Sequence, residues 1–176
     1  SLKVKYGKSS KWSMDRDIES TNEIEENSNK HDSSDDYEKK LKILQNNELF
    51  KNLELQNLNK VAENCEIIKT RIGLPLSSKK IIPNQIFIIL SGEARLLSNI
   101  NNQSNTIAKL SKGTVIGLSS LLRCEPCEEV ISSTEIIALS ISDKDILFLY
   151  EHDENFRRFC NQNIFINEVI GSKYKY

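Results

Sequence analysis

The sequence predicts a mainly β fold, an antiparallel β-roll or jelly roll with a helical lead-in and C-terminal helices. Short apolar runs separated by Gly turns follow one another closely from Ile67 to Ile141. Leucines at three- and four-residue steps precede them, and an apolar stripe at helical spacing follows them. Seven or eight short strands between two helical flanks fit a closed or double-sheet antiparallel architecture.

The lead-in rests on Leu41, Leu44, Leu49, Phe50, Leu53, Leu55, Leu58 and Val61, which read as two short helices broken near Asn46–Asn47 or Lys51–Leu53. After Cys65 the pattern turns to strands. Ile67-Ile68 lead to a turn signal at Gly73 and Pro75. Ile81-Ile82-Pro83 and the run Ile86 to Leu90 come next, then Ser91-Gly92 and a strand from Ala94 to Leu97. Asn99 to Asn105 reads as a polar hairpin tip. A strand from Thr106 to Leu110 reaches Lys112-Gly113, and Val115-Ile116-Gly117 follows. Val130-Ile131 and the alternation of Ile137, Leu139 and Ile141 close the β region. Ser142-Asp143 reads as a helix N-cap. A last helix is expected over Asn155–Val169, striped by Phe156, Phe159, Cys160, Ile164, Phe165 and Val169.

Composition bounds what such a domain does. Lys plus Arg number 24 and Asp plus Glu 25, a net charge of −1. That balance supplies no basic field for nucleic acid or an anionic membrane, so neither is expected as a partner. The longest apolar run, Ile86 to Leu90, is far short of the roughly 20 residues of a membrane span, so direct membrane insertion is not expected. Four cysteines are too sparse for a secreted disulfide scaffold, and a cytoplasmic location is expected. A chain opening on Ser1 and closing on Tyr176 reads as a segment of a longer protein. Residues 12–38 hold ten acids against Arg16 and Lys30, with few apolar residues beyond Trp12 and Met14. Such a stretch buries too little surface to offset its ordering entropy. Residues 1–40 are therefore expected to be an acidic linker, poorly ordered unless a neighbour holds it, and 41–176 the folded domain.

The order of elements and the residues within it resemble the cyclic-nucleotide-binding domain family across residues 41–165. That family's lead-in ends in Leu-Phe-x-x-Leu, as do Leu49-Phe50-Lys51-Asn52-Leu53. Its strand of the type Tyr-Ile-Ile-x-x-Gly is matched by Phe87-Ile88-Ile89-Leu90-Ser91-Gly92, and its Gly-x-x-x-Gly turn by Gly113-Thr114-Val115-Ile116-Gly117. The resemblance implies a ligand cassette after Gly117. There a Glu accepts the ribose hydroxyl and an Arg forks onto the cyclic phosphate, which sits on free N–H groups at a helix start.

By that resemblance the Glu position falls on Leu118 and the Arg position on Cys127, with Glu125, Glu128 and Glu129 nearby. Losing one partner of a desolvated charge pair costs about 2–5 kcal/mol. The cassette is thus expected to have lost binding of cyclic AMP and cyclic GMP. The residues that would bear on any remaining site are Gly117, Leu118, Ser119, Ser120, Arg123, Cys127 and Glu128. Ser119 and Ser120 keep hydroxyls, and Arg123 stands four residues ahead of the Arg position. A working sensor for a cyclic nucleotide or another small ligand is the alternative.

Cys124-Glu125-Pro126-Cys127 is a Cys-x-x-Cys motif. It lacks a second close pair for structural zinc and the βαβ setting of a thioredoxin-type site. Incidental thiols, a reversible disulfide and a metal site are its three readings. The predicted strands contain no histidine, which counts against a cupin-type metal centre, and His31 and His152 are too isolated for a catalytic constellation. No P-loop is present, because Gly117 is not followed by Lys-Ser or Lys-Thr. The expectation is a non-enzyme without metal or cofactor.

Gly117 to Arg123, then Cys127-Glu128-Glu129-Val130 and Phe156-x-x-x-x-Asn161-Gln162, are similar to a narrower group. It comprises the degenerate cyclic-nucleotide-binding-like domains ahead of a papain-like peptidase and transporter core in cyanobacterial toxin- or bacteriocin-type ABC exporters. That similarity implies a domain at the cytoplasmic face of the inner membrane, regulating export or recognising cargo. Its partners would be other domains of the same polypeptide. Any ATPase or peptidase activity would lie outside these residues. A homodimer through residues 155–169 is a further expectation.

Overall fold

A computed structural model describes residues 32–173, without the side chains of Asp32, Ile100 and residues 164–173. Helix α1 (Asp32–Gln45) begins inside the stretch assigned above to a linker. Residues 32–40 are thus helical, and the helix has a physical cause. Of the acids that read as linker, Asp32, Asp35, Asp36 and Glu38 lie in the first two turns of this helix, where the helix dipole favours negative charge. Asp36 also pairs with Lys40 one turn later at 2.8 Å. Tyr37 and Leu41 pack against the core, and the Tyr37 hydroxyl donates to Asn59 Oδ1 at 3.0 Å. The neighbour that orders the segment is thus helix α2 (Leu55–Asn64) of the same domain. Residues 1–31, with Trp12, Met14 and His31, lie outside the described residues.

The break between α1 and α2 is a turn through residues 46–53 that buries Leu49, Phe50 and Leu53. Asn47 organises it: its Oδ1 accepts from the Leu49 N–H at 3.0 Å and its Nδ2 donates to the Gly113 carbonyl at 3.3 Å.

Eight strands follow: β1 (Glu66–Thr70), β2 (Pro75–Ser77), β3 (Gln85–Ser91), β4 (Ala94–Ile100), β5 (Gln103–Leu110), β6 (Val115–Ile116), β7 (Val130–Ser132) and β8 (Ile136–Ser142). They form two four-stranded antiparallel sheets, β1-β8-β3-β6 and β2-β7-β4-β5, the β-roll that the sequence predicts. The first sheet is covered on both faces. Phe87, Ile89, Ile136 and Ala138 fill the space between the sheets, with Ile68, Leu76, Ala94, Ile116 and Val130. Ile86, Ile88, Leu139 and Ile141 point the other way, into a cluster with the helices. Burial on both faces is why β3 reads as an unbroken apolar run and not as an alternation.

Three details differ from the expected strands. Ile81-Ile82 are exposed loop, and the second strand instead uses Pro75-Leu76-Ser77. Proline is tolerated there because β2 is an edge strand. The hairpin tip shrinks to Asn101-Asn102, both at positive φ (53° and 62°), and the strands run to its edge. Two left-handed residues match the twist of a two-residue hairpin, and Asn tolerates that backbone.

Between β6 and β7 lies the short helix α3 (Leu118–Arg123). After β8, α4 (Asp143–His152) starts at Ser142, whose hydroxyl accepts from the Asp145 N–H at 3.2 Å as an N-cap. Helix α5 (Glu154–Lys173) follows, with Asp153 alone between the two helices. Phe156 and Cys160 bury against the lead-in, the Phe156 ring lying tilted with its centroid 5.9 Å from that of Phe50. Ile164, Phe165 and Val169, the distal half of the expected dimer stripe, lie outside the described side chains.

Candidate functional site

The cassette begins where β6, paired to β3 through Phe87↔Ile116 and Ile88↔Val115, ends at Gly117. Gly117 adopts φ +92°, which a Cβ would strain although nothing crowds the position more closely than the Gln85 carbonyl at 3.4 Å. That turn launches α3.

Leu118, at the family's Glu position, is 6 % exposed and sits with Leu121 in the cluster joining the helices to the first sheet. An apolar side chain at this position offers no hydrogen-bond acceptor. Ser119 is half-buried, and Ser120 is 0 % exposed. The Ser120 hydroxyl is the anchor of the following loop. Its Oγ accepts from the Cys127 N–H at 3.1 Å and lies 3.3 Å from Cys127 Sγ, while the Ser120 carbonyl accepts from the Glu125 N–H at 3.1 Å. Cys127 is thus held on Ser120 through its own N–H.

Arg123 is exposed in the last turn of α3, at the opposite end from the turn where a phosphate would sit. Glu128 is half-buried, and its carbonyl accepts from Ser77 Oγ at 3.3 Å. Glu129 lies against β4: its carbonyl accepts from the Leu97 N–H at 2.8 Å and its Oε2 from Asn99 Nδ2 at 3.0 Å. The structure thus brings Ser120 and Cys127 together, commits Leu118 to the core and leaves Arg123 at the surface. Asn99, the partner of Glu129, was not singled out because a polar hairpin residue carries no sequence signal for a cross-strand contact.

A second arrangement was also missed. Asp153 is 0 % exposed, and its carboxylate caps two helices at once. Oδ2 accepts from the Glu54 N–H and from Asn57 Nδ2, each at 3.0 Å, and Oδ1 accepts from the Phe156 N–H at 2.9 Å. Asn155 Nδ2 adds a bond to the Asn52 carbonyl at 2.9 Å. Burial alone would raise the Asp153 pKa. The hydrogen bonds from Asn57, Phe156, Glu54 and Asn155 outweigh it and hold the carboxyl below its ordinary value of 3.8. The signal was there: Asp153 precedes Glu154 and Phe156 as an N-cap would.

Burial pushes the Cys65 thiol up to about 11 and the Cys160 thiol up to about 12. Among the described residues no group of three or more His, Cys, Asp or Glu is placed to hold a metal ion. Among them, too, no helix is long and apolar enough to cross a membrane.

Residues 76–153 match the family model described as the cyclic nucleotide-binding domain. No curated protein matches the chain. Solved structures do. The regulatory domain of Toxoplasma gondii PKA with cAMP is 21% identical, with a TM-score of 0.58 over 62% of this chain and 42% of that one. The regulatory subunit of a cAMP-independent protein kinase A from Trypanosoma cruzi bound to guanosine is 12% identical, with a TM-score of 0.65 over 81% of this chain and 53% of that one. The sensor domain of the transcriptional regulator DNR from Pseudomonas aeruginosa is 10% identical, with a TM-score of 0.67 over 78% of this chain and 94% of that one. The chain thus spans about half or less of the kinase regulatory structures it matches. Likeness at these identities is likeness of fold, and the fold is the cyclic-nucleotide-binding β-roll with flanking helices.

Proposed function

We propose that this domain is a non-catalytic regulatory or interaction module whose cyclic-nucleotide site has been given up. The observation that carries the reading is the fate of Leu118: at the position of the ribose-binding carboxylate stands a core side chain, 6 % exposed. Cys127 compounds the loss, since a neutral thiol cannot replace a guanidinium fork on a phosphate. The module would act through its helices. They pack on the roll through the cluster of Ile86, Ile88, Leu139 and Ile141 and are tied to one another by the Asp153 caps, so a partner bound to either would shift the other.

The wider setting follows from the sequence similarity to ABC exporter domains. The module would sit at the cytoplasmic face of a toxin- or bacteriocin-type exporter, next to a peptidase and transporter core of the same polypeptide that carries the catalysis. A second reading, a small-ligand sensor, draws support from the Trypanosoma cruzi neighbour, which is described as cAMP-independent and bound to guanosine. A nucleoside has no phosphate and would not need the missing Arg.

Calorimetric titration of the chain with cyclic AMP, cyclic GMP and guanosine tests both. Silence toward all three at millimolar concentration is expected. Micromolar binding of a cyclic nucleotide overturns the lost site, and binding of guanosine alone moves the function to the second reading.

A further inference from the structure

We propose that Cys124 and Cys127 form a reversible intramolecular disulfide, a thiol switch in the loop that closes the cassette. The inference holds whether or not a ligand binds.

The chain leaves α3 at Cys124, turns through Glu125-Pro126 and returns at Cys127, and both arms are tied to one buried residue, Ser120. The Cys124 N–H reaches back to the Leu121 and Ser120 carbonyls, the Glu125 N–H to the Ser120 carbonyl, and the Cys127 N–H to Ser120 Oγ. Ser120 thereby closes the loop and keeps two thiols at its ends. Cys124 is exposed and open to an oxidant, whereas Cys127 is partly covered, its Sγ resting 3.3 Å from Ser120 Oγ. An exposed thiol to attack the oxidant first and a sheltered one to resolve the mixed disulfide is the division of labour that a dithiol switch needs. Cys124 also stands at φ +53°, a backbone that Gly or Asn adopts at lower cost, so what it offers here is its sulfur. The other two cysteines are buried and cannot compete: their thiols are pushed up to about 11 and about 12.

The oxidant is a small disulfide such as oxidised glutathione. The Cys124 thiolate, having given its proton to solvent, attacks one glutathione sulfur. A Cys124–glutathione disulfide forms and one glutathione thiolate leaves. The Cys127 thiolate, likewise deprotonated, leaves Ser120 Oγ and attacks Cys124 Sγ. The Cys124–Cys127 bond forms, the mixed disulfide breaks and the second glutathione departs reduced. Two thiols have lost two electrons and two protons, and one glutathione disulfide has gained the electrons. Small exposed bridges of this kind are readily reduced again. Strain would reach β2 and β4 through Glu128 and Glu129, whose carbonyls hold Ser77 Oγ and the Leu97 N–H.

The test exposes the chain, Cys124→Ser and Cys127→Ser to oxidised glutathione, blocks remaining thiols by alkylation and reads intact mass and peptide maps. Circular dichroism confirms that each variant is folded. The expected result for the unaltered chain is a loss of two alkylatable thiols, no retained glutathione and a Cys124–Cys127 cross-link that reduced glutathione reverses. Cys127→Ser should instead accumulate glutathione on Cys124. A stable glutathione adduct on the unaltered chain, a cross-link involving Cys65 or Cys160, or thiols left unchanged would each overturn the proposal.

Discussion

Asp153 and Asn57 lie almost a hundred positions apart in the chain and meet at 3.0 Å, Asn57 Nδ2 donating to Asp153 Oδ2. The same oxygen takes the Glu54 N–H at the start of α2, and Oδ1 takes the Phe156 N–H in the first turn of α5. One fully buried carboxylate therefore fixes the entry of the lead-in helix to the start of the last helix. The Glu54 side chain supplies no cap of its own to α2, so the distant Asp takes that place.

Replacing Asp153 with Ala is expected to destabilise the domain by about 3 kcal/mol or more. It strands several buried donors, each costing about 1–3 kcal/mol unless water reaches it. Asn57→Ala removes a single donor and should cost about 1 kcal/mol. Urea unfolding midpoints of the two variants check the order, and equal losses would show that the caps are not carried by Asp153.

The same group sets an acid limb. Its folded pKa lies below the ordinary 3.8, so the unfolded chain binds its proton first as pH falls. The stability it contributes is complete above the ordinary value and drains away as pH drops through the lowered one. Stability measured from neutral pH downward should decline in that window, and Asp153→Asn should lose this part of the decline while being less stable at neutral pH. An unchanged acid slope in the variant would remove Asp153 as its source.

How much of this was legible in advance follows from the range of each interaction. Periodicity is local, so the strand run Ile86 to Leu90, the Ser142 cap and the helix–roll–helix order could be read from neighbours in sequence. The identities of Leu118 and Cys127 were equally legible, because the turn from Gly113 to Gly117 fixes their place locally. What could not be read was the partner of each residue. The acids of α1 read as linker because the helix that orders them, through Tyr37 and Asn59, comes later in the chain. Ile81-Ile82 read as strand because β-branched residues favour one, yet the sheet edge there is taken by Pro75-Leu76-Ser77. Ser120 counted as a spare hydroxyl for a ligand, and it is spent on Cys127.

Two glycines with nearly the same backbone make a controlled comparison. Gly92 and Gly117 have φ of +91° and +92°. At Gly92 an added Cβ would run into the Glu135 carbonyl oxygen and lie 2.9 Å from Thr134 Oγ1. At Gly117 it would meet the Gln85 carbonyl only at 3.4 Å. Gly117→Ala is therefore expected to cost the conformational strain alone, about 1–2 kcal/mol. Gly92→Ala adds a backbone clash and should cost about 1–3 kcal/mol more. Denaturant midpoints decide it, and equal losses would mean that the β3–β4 turn relaxes freely.

Cys160 and Cys65 provide a probe of opening. Their burial and raised pKa values, about 12 and about 11, make them inert in the folded chain at neutral pH. Under a thiol reagent Cys124 should react first, while Cys65 and Cys160 react only at the rate at which the helical cluster opens. Adding Asp153→Ala should speed those two and leave Cys124 unchanged. Simultaneous labelling of all four would contradict the burial of the pair.

The last prediction concerns placing charged residues at the two positions on which the proposal turns. Cys127→Arg puts a guanidinium at the family's position but must break the Ser120 anchor, because Cys127 Sγ lies 3.3 Å from Ser120 Oγ. Leu118→Glu adds an acceptor, yet it places a carboxylate in a site 6 % exposed among Leu121, Ile86 and the lead-in helices. Removing the apolar side chain loses about 1.5–3 kcal/mol of burial, and holding a carboxylate there adds a desolvation penalty. The double variant is therefore expected to unfold at lower denaturant than either parent and to bind cyclic AMP no better than millimolar. The reason is structural: Leu118 now belongs to the core that joins helices to roll. Calorimetry on the folded fraction checks this, and micromolar binding by the double variant would show that the cassette kept its shape and lost only two side chains.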